Sequence, residues 1–299
     1  MQLEQLLEPY ERSVVEEVQR WVRRDPGWME RALQGVSARS RQVLSVVLDT
    51  GPGRNLVQAA TDRAMSALEV AVLRDFEASM DTLVEPTDAV GRASELRRAD
   101  EHAAAMRNRY VGMLGAQGAL VGAASLTWAR SAVALVADVA LAVVITMRAG
   151  AHHLAIYGVL PSQPLALEAA LELIAVATET EAALRQSKIL ALGQRLVERP
   201  TQDQPVGELP RVVIQQAGSR ALKETVEQAV RHVLGRRLAG VVPVLGAAAG
   251  GAASGWLAAQ MCEAGRQVGR AAFLARRTTL GISEVLGIEA SAGAAELQA

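Results

Sequence analysis

Apolar and polar positions along this chain recur with a helical period. From Arg54 to about Glu85 the apolar residues Val72, Phe76, Met80 and Leu83 follow at steps of four, four and three, one face of a long amphipathic helix. Upstream, a helix from about Tyr10 to Arg24 stops at Asp25-Pro26, which reads as an N-cap followed by the first residue of the next helix. Gly51-Pro52-Gly53 is a second break, a turn, and Pro86 a third. Between Thr87 and about Arg107 a polar helix is expected, with Glu95, Arg97, Arg98, Asp100 and Glu101 as its solvated face.

The pattern then changes. Between Val111 and Leu167 the only formal charges are Arg130, Asp138 and Arg148. Val111 to Ala129 has none and is interrupted by Gly112, Gly115, Gly118 and Gly122; a more continuous helix is expected from about Ser131 to Gly150. The run is long enough to span a bilayer, but its Gly, Gln, Ser and Thr content and the central Asp138 favour a buried helical hairpin over a span. Ser162-Gln163-Pro164 caps one long helix from Leu165 to Glu198, acidic early and basic late as the macrodipole prefers. A linker with Pro200, Pro205 and Pro210 precedes an amphipathic helix marked by Leu222, Val226, Ala229 or Val230, and Val233. Leu238 to Cys262 is a second charge-free run. Its Gly246/Gly250 and Gly251/Gly255 spacings permit close helix contact, and Pro243 with Gly250-Gly251 predicts a hairpin or a kinked helix.

These elements divide the chain into charged N-terminal helices (1–110), Gly/Ala-rich central helices with the long amphipathic helix (111–199), a Pro-rich linker (200–210), C-terminal helices with the Gly-rich hairpin (211–288) and a frayed tail (289–299), within one domain overall. The expected fold is all-α, a multi-helix bundle with two Gly/Ala-rich hydrophobic hairpins at its centre. Composition agrees: half the residues are hydrophobic but only 4 Trp, 3 Tyr and 2 Phe are aromatic, and the abundant Ala, Leu, Glu, Arg and Gln are strong helix formers. Thirty-one basic against 32 acidic residues and a pI near 6.5 leave no basic footprint for nucleic acid. The single cysteine, Cys262, excludes an intramolecular disulfide and any CxxC motif and reads as a small buried residue. The N-terminus lacks the basic and apolar regions of a signal peptide, so a cytoplasmic location is expected.

Catalytic strings are absent: there is no GxSxG, HExxH, GxxxxGK[ST] or complete GxGxxG. Candidate chemistry therefore rests on Asp138, Arg148, His152, His153 and Tyr157. Arg148 and His152 share a helix face if the helix continues through Gly150, whereas Asp138 points elsewhere, so one helix cannot converge them all. Asp138 is expected to be a buried carboxylate paired with Arg130, Arg236, Arg237 or Arg266 on another element. The weaker alternative makes Asp138 with His152 or His153 a general base; no metal site and no cofactor are expected. Gly158 should supply a left-handed C-cap after Tyr157, whose hydroxyl would sit at the rim. Trp21 and Trp28 read as core, while Trp128 and Trp256, beside the charge-free runs, could meet a membrane or partner together with Gly246, Gly250, Gly251 and Gly255.

Three stretches taken in order resemble the EcsC family, bacterial helical proteins associated in the founding member with an ABC-transporter operon. They are Tyr10-Glu11 leading to Trp21 and Pro26; the Gly-rich run before Asp138, followed by Arg148 and Tyr157-Gly158; and Pro243-Val244-Leu245-Gly246 leading through Gly250-Gly251 to Phe273–Arg277. The likeness covers roughly Tyr10 to Arg277. It departs from the family at Val139-Ala140, where a proline is expected after the Asp, and at Ser254, where an asparagine is expected. The resemblance implies a fold, a compartment and a membrane connection more than a reaction. The expected function is thus non-enzymatic: reversible attachment to the inner face of the cell membrane, through lipid or a membrane protein complex, in a transport or secretion accessory role. Val111–Met147 and Leu238–Cys262 would be the contacting elements. A carrier of lipid or a small apolar ligand and a hydrolase-type enzyme are the alternatives.

Overall fold

The computed structural model describes residues 6–24, 50–79, 89–124, 132–158, 164–179, 181–198 and 246–288, with isolated helical positions at 223, 226, 227, 230, 231 and 233. Every regular element among them is an α-helix: α1 (Pro9–Arg23), α2 (Gly51–Ser79), α3 (Ala89–Ala124), α4 (Ala132–Ile156), α5 (Pro164–Thr178), α6 (Ala182–Glu198), α7 (Gly246–Arg277) and the short α8 (Ile282–Leu286). The all-α expectation holds.

Boundaries differ from the sequence reading in four places, each for a physical reason. Gly51-Pro52-Gly53 is no free turn but the first turn of α2, where the Gly53 N–H donates to Thr50 Oγ1 at 3.3 Å and Pro52 needs no amide partner. The polar stretch after Thr87 and the glycine-interrupted run after Val111 form one 36-residue helix, α3. Gly112, Gly115 and Gly118 each cost helix propensity, but long helices are held mainly by tertiary packing, and α3 lies along α7. The single helix expected from Leu165 to Glu198 is two, because Glu179 turns back: its Oε1 accepts the Glu181 N–H at 3.1 Å and its Oε2 pairs with Lys188 at 2.6 Å. Finally, Gly250-Gly251 lies inside the continuous helix α7, so from Gly246 onward the second Gly-rich run is one rod rather than a hairpin. Pro26, Trp28, Pro86, Trp128, Arg130, Ser162 and Gln163, the Pro200–Pro210 linker, Leu222, Ala229, Arg236, Arg237 and Pro243 lie outside the described residues, as do the side chains of Val72, Phe76 and the position of Met80 and Leu83.

Two apolar clusters make the core. The first gathers Val14, Val18 and Val22 of α1, Leu96 and Ala103 of α3, Leu173 of α5, Leu192 and Leu196 of α6, and the second half of α7 from Met261 through Leu274. The second gathers Val57 and Ala64 of α2, Tyr110 and Leu114 of α3, Val139 to Met147 of α4, and Leu257, Ala258 and Cys262 of α7, with Val226, Val230 and Val233 from the segment expected to be amphipathic. α3, α4 and α7 run through both. α4 contains the one stretch among the described residues long and apolar enough to cross a bilayer, Val136–Ile156, yet 78% of its most apolar window is buried inside the fold. Most of its apolar side chains therefore pack in the core.

Glycines let α7 approach its neighbours. A Cβ on Gly269 would lie 2.5 Å from Tyr157 Cδ2, and one on Gly265 would lie 2.8 Å from His153 Cβ. Farther along α7, Gly255 meets the Val111 carbonyl oxygen and Gly115 of α3 at ordinary contact distance. Of the small residues marked in the second charge-free run, Gly255 thus lies at a helix–helix contact within the fold. Gly193 of α6 and Gly150 of α4 are likewise filled, by Ile282 and by Met261 with Leu173. Neighbouring side chains occupy the room these glycines leave.

Gly269→Ala should therefore destabilise the fold by about 1–3 kcal/mol through overpacking against the Tyr157 ring. Gly112→Ala, with nothing within 4 Å of the new methyl, should stabilise it by about 0.5–1 kcal/mol. Urea denaturation of the two variants checks both signs.

Candidate functional site

The densest polar chemistry in the fold is built around Asp100. On α3, Leu96, Ala99 and Ala103 form a buried stripe, and Asp100 falls on its edge at 8% exposure. Its Oδ1 accepts from the Tyr157 hydroxyl at 2.5 Å and from Arg270 Nε at 2.6 Å, while its Oδ2 accepts from the Tyr10 hydroxyl at 2.5 Å. Arg270, 3% exposed, also reaches Glu17 Oε2 at 2.9 Å, and Arg266 bonds Glu17 at 2.7 Å. One carboxylate thereby joins α1, α3, the end of α4 and α7.

Electrostatics follow from burial and pairing. Burial first, then the Asp100 carboxylate, pushes both tyrosine hydroxyls far above their ordinary range, so both remain donors. Burial alone would raise Glu17, but Arg270 and Arg266 outweigh it and hold the carboxyl below its usual value. Arg270 is itself held more firmly protonated by Asp100 despite its burial.

A second buried pair continues the same brace. Glu11, fully buried, accepts from Arg92 Nε at 2.5 Å and Nη2 at 2.9 Å and from the Glu8 N–H at 2.9 Å, closing the first turn of α1. Arg277 reaches Glu95 at 3.2 Å, and Arg276 caps two helix ends by donating to Gly158 O at 3.0 Å and Leu196 O at 3.1 Å. Glu95 and Asp100 were expected on a solvated face; both are buried, whereas Arg97, Arg98 and Glu101 are exposed as expected.

The residues singled out from the sequence occupy three separate places. Asp138, 8% exposed, accepts from Gln117 Nε2 at 2.7 Å, and the same amide reaches the Asp138 carbonyl oxygen at 3.1 Å. Of its expected arginine partners, Arg266 is engaged by Glu17 and Glu263 instead. Arg148 and His152 do share a face of α4, which runs through Gly150. The Tyr110 hydroxyl of α3 bonds His152 Nδ1. His153 turns inward at 1% exposure, with Nδ1 2.7 Å from Ala149 O and Nε2 3.1 Å from Ala103 O. Asp138 and His152 stand fourteen residues apart on one helix, about 21 Å by its rise, so the two cannot act on one substrate atom.

Gly158 has the expected left-handed conformation, φ 77°, but Tyr157 is buried with its hydroxyl on Asp100 rather than at a rim. Trp21 is in the core and Trp256 packs partly buried against the second cluster. Cys262 is buried and free, its thiol pushed up to about 12 chiefly by burial. Among the described residues no group of His, Cys, Asp and Glu is placed to hold a metal ion.

The residues that build the Asp100 brace include some the sequence marked and some it did not. Tyr10-Glu11, Tyr157-Gly158 and the Phe273–Arg277 end, the stretches that carried the family resemblance, converge here. Asp100, Arg270, Glu17 and Arg92 were missed. The available signal was Asp100 lying one step from Ala99 and three from Ala103, on the border of an apolar stripe.

The model of the EcsC protein family matches residues 12–272 of the chain. No curated protein and no solved structure matches it.

Two outcomes follow from the geometry. Asp100→Ala should cost about 3–5 kcal/mol, because it removes the shared acceptor of two tyrosine hydroxyls and the Arg270 Nε and leaves Arg270 only Glu17, whereas Tyr10→Phe should cost about 1.5–3 kcal/mol; thermal or urea unfolding separates them. His153 is driven down to about 4, first by burial, against 6.5 in the unfolded chain. Below pH 6.5 the unfolded chain takes up a proton that the folded ring refuses. Its contribution is therefore intact above about 6.5 and declines by up to about 1.4 kcal/mol per pH unit as the pH falls toward 4. His153→Leu should flatten that limb in urea titrations between pH 7 and 4.

Proposed function

The chain belongs to the EcsC protein family, and on that premise we propose that it is a non-enzymatic accessory protein that attaches reversibly to the inner face of the cell membrane. The observation that carries the reading is the outer side of the α3–α4 hairpin. Its inner side is core, but Met113 of α3 and Leu141 of α4 are 40% and 49% exposed at the border of the charge-free run. With most of the apolar face of α4 packed in the fold, these exposed side chains support a surface contact as the mode of attachment. The polar groups of the Asp100 brace support the same reading, since their hydrogen bonds are directed at one another across four helices. An accessory role in transport or secretion, which the family resemblance implies, belongs with this attachment. The glycines that a carrier would use to line a cavity are filled by Tyr157, His153, Met261 and Ile282, which gives the ligand-carrier alternative no support at those positions.

Purified, detergent-free protein mixed with vesicles of phosphatidylcholine and phosphatidylglycerol should rise with them through a density gradient. Recovery of all the protein in the soluble fraction, with every lipid composition tried, would overturn the proposal.

A further inference from the structure

Past the end of α7 the chain closes on itself. The Thr278 N–H donates to Leu274 O at 2.9 Å, and the Thr278 hydroxyl accepts the Leu280 N–H at 3.2 Å. The Gly281 N–H donates to Glu284 Oε2 at 2.8 Å, the Val285 N–H to Gly281 O at 3.1 Å and the Ile288 N–H to Ser283 O at 3.0 Å. All of these bonds lie within residues 274–288, so the backbone of α8 and its flanking turns is satisfied without the other helices. Thr279 and Gly281, on the connection from α7, are exposed.

Two kinds of contact hold this unit on the bundle. Ile282 and Leu286 lie over Gly193 of α6, where an added Cβ would stand 2.8 Å from Ile282 Cγ1 and 4.0 Å from Leu286 Cδ1, and Val285 between them is fully buried. From α1, Gln19 Nε2 donates to the Glu284 and Val285 carbonyl oxygens at 3.3 and 3.4 Å, and Arg23 Nη2 donates to Gly287 O at 2.9 Å. The bonds to Glu284 and Gly287 are exposed to solvent, and among the described residues no ion pair reaches α8. Its neighbour α1 is tied quite differently, by Glu11 to Arg92, Glu17 to Arg270 and Tyr10 to Asp100. Separating α8 therefore gives up apolar contacts and hydrogen bonds that water can replace, whereas lifting α1 would break three charged contacts at once.

We propose that α8 is a C-terminal strap that leaves and rejoins the groove between α1 and α6 as one unit while α1 to α7 stay folded. A helix of five residues has no stability of its own in water, so leaving the groove and melting coincide in a single transition. The open form presents the Gly193 notch together with Ile282, Val285 and Leu286, an apolar surface that the closed form hides. The Ile282 side chain in its notch and the two α1 donors set the balance between the two forms. This device is independent of membrane attachment.

Native-state hydrogen exchange of the full chain, followed amide by amide by NMR in increasing urea, tests the strap. The Val285, Gly287 and Ile288 amides should share one opening, with protection about 100-fold or more below that of residues 264–274 of α7. Their dependence on urea should be much the shallower, because the opening exposes little surface. Ile282→Ala empties the notch and should speed the shared opening about tenfold or more. Tyr10→Phe removes a donor from Asp100, so it should speed exchange of the most protected α7 amides and leave the three strap amides as they are in the parent. Equal protection in α7 and α8, a common urea slope, or equal acceleration of strap and core by Tyr10→Phe would show that α8 opens only when the whole bundle does, and would overturn the proposal. Protection that declines stepwise toward Ile288, as in simple fraying of a chain end, would overturn it as well.

Discussion

A carboxylate removed from water must be compensated in place, and the packing of this bundle is arranged around that demand at Asp100. Two tyrosine hydroxyls and one guanidinium supply the compensation, and they come from α1, the end of α4 and α7. Each helix must therefore hold its azimuth and its height for the group to be satisfied. Apolar side chains alone tolerate sliding and rotation; a charge with three directional donors does not. Tyr157 shows the coupling most plainly: its ring fills the gap left by Gly269 of α7, and its hydroxyl lands on Asp100 only because α7 comes that close.

Arginines extend the same logic to helix ends. Arg276 donates to carbonyls at the ends of α4 and α6, and Arg185, nearly fully buried, donates to Val22 and Arg24 at the end of α1. Each places a cation where a helix presents unpaired carbonyls, so ends that would otherwise be costly to bury become attachment points. The C-terminal α8 is docked in a comparable way, with Gln19 and Arg23 of α1 donating to Glu284 O and Gly287 O, and Gly287 in the left-handed conformation at its end.

Much of the architecture was legible in the chain. The helical period, the two charge-free runs, the α1 boundary near Arg24 and the Gly158 cap could be read because each depends on local sequence. Elements that depend on long-range packing could not. Nothing local says that α3 continues through Gly112 and Gly115, since what offsets their cost is the packing of the whole helix along α7, where Gly115 meets Gly255. Asp100 looked solvated because its charge outweighed its position on the stripe of Leu96, Ala99 and Ala103. The candidate trio of Asp138, His152 and His153 was drawn together by closeness in sequence, yet a helix of that length separates its ends by several turns, and the two histidines point about 100° apart. The residues that do meet, Tyr10, Asp100, Tyr157 and Arg270, are far apart in the chain, and a single sequence carries no sign of their encounter.

The division of the core into two clusters has a consequence for how the molecule opens. Among the described residues, buried ion pairs concentrate in the first cluster, while the second is held by apolar packing around Val139–Met147, the Gln117–Asp138 and Tyr110–His152 bonds and a glycine contact between α3 and α7. Local opening takes place where such restraints are fewest, so backbone amides of Val139–Met147 should exchange with deuterium before those around Asp100. The protein then has an anchored half and a yielding half within one set of continuous helices, and the yielding half can adjust its outline without releasing the anchored one.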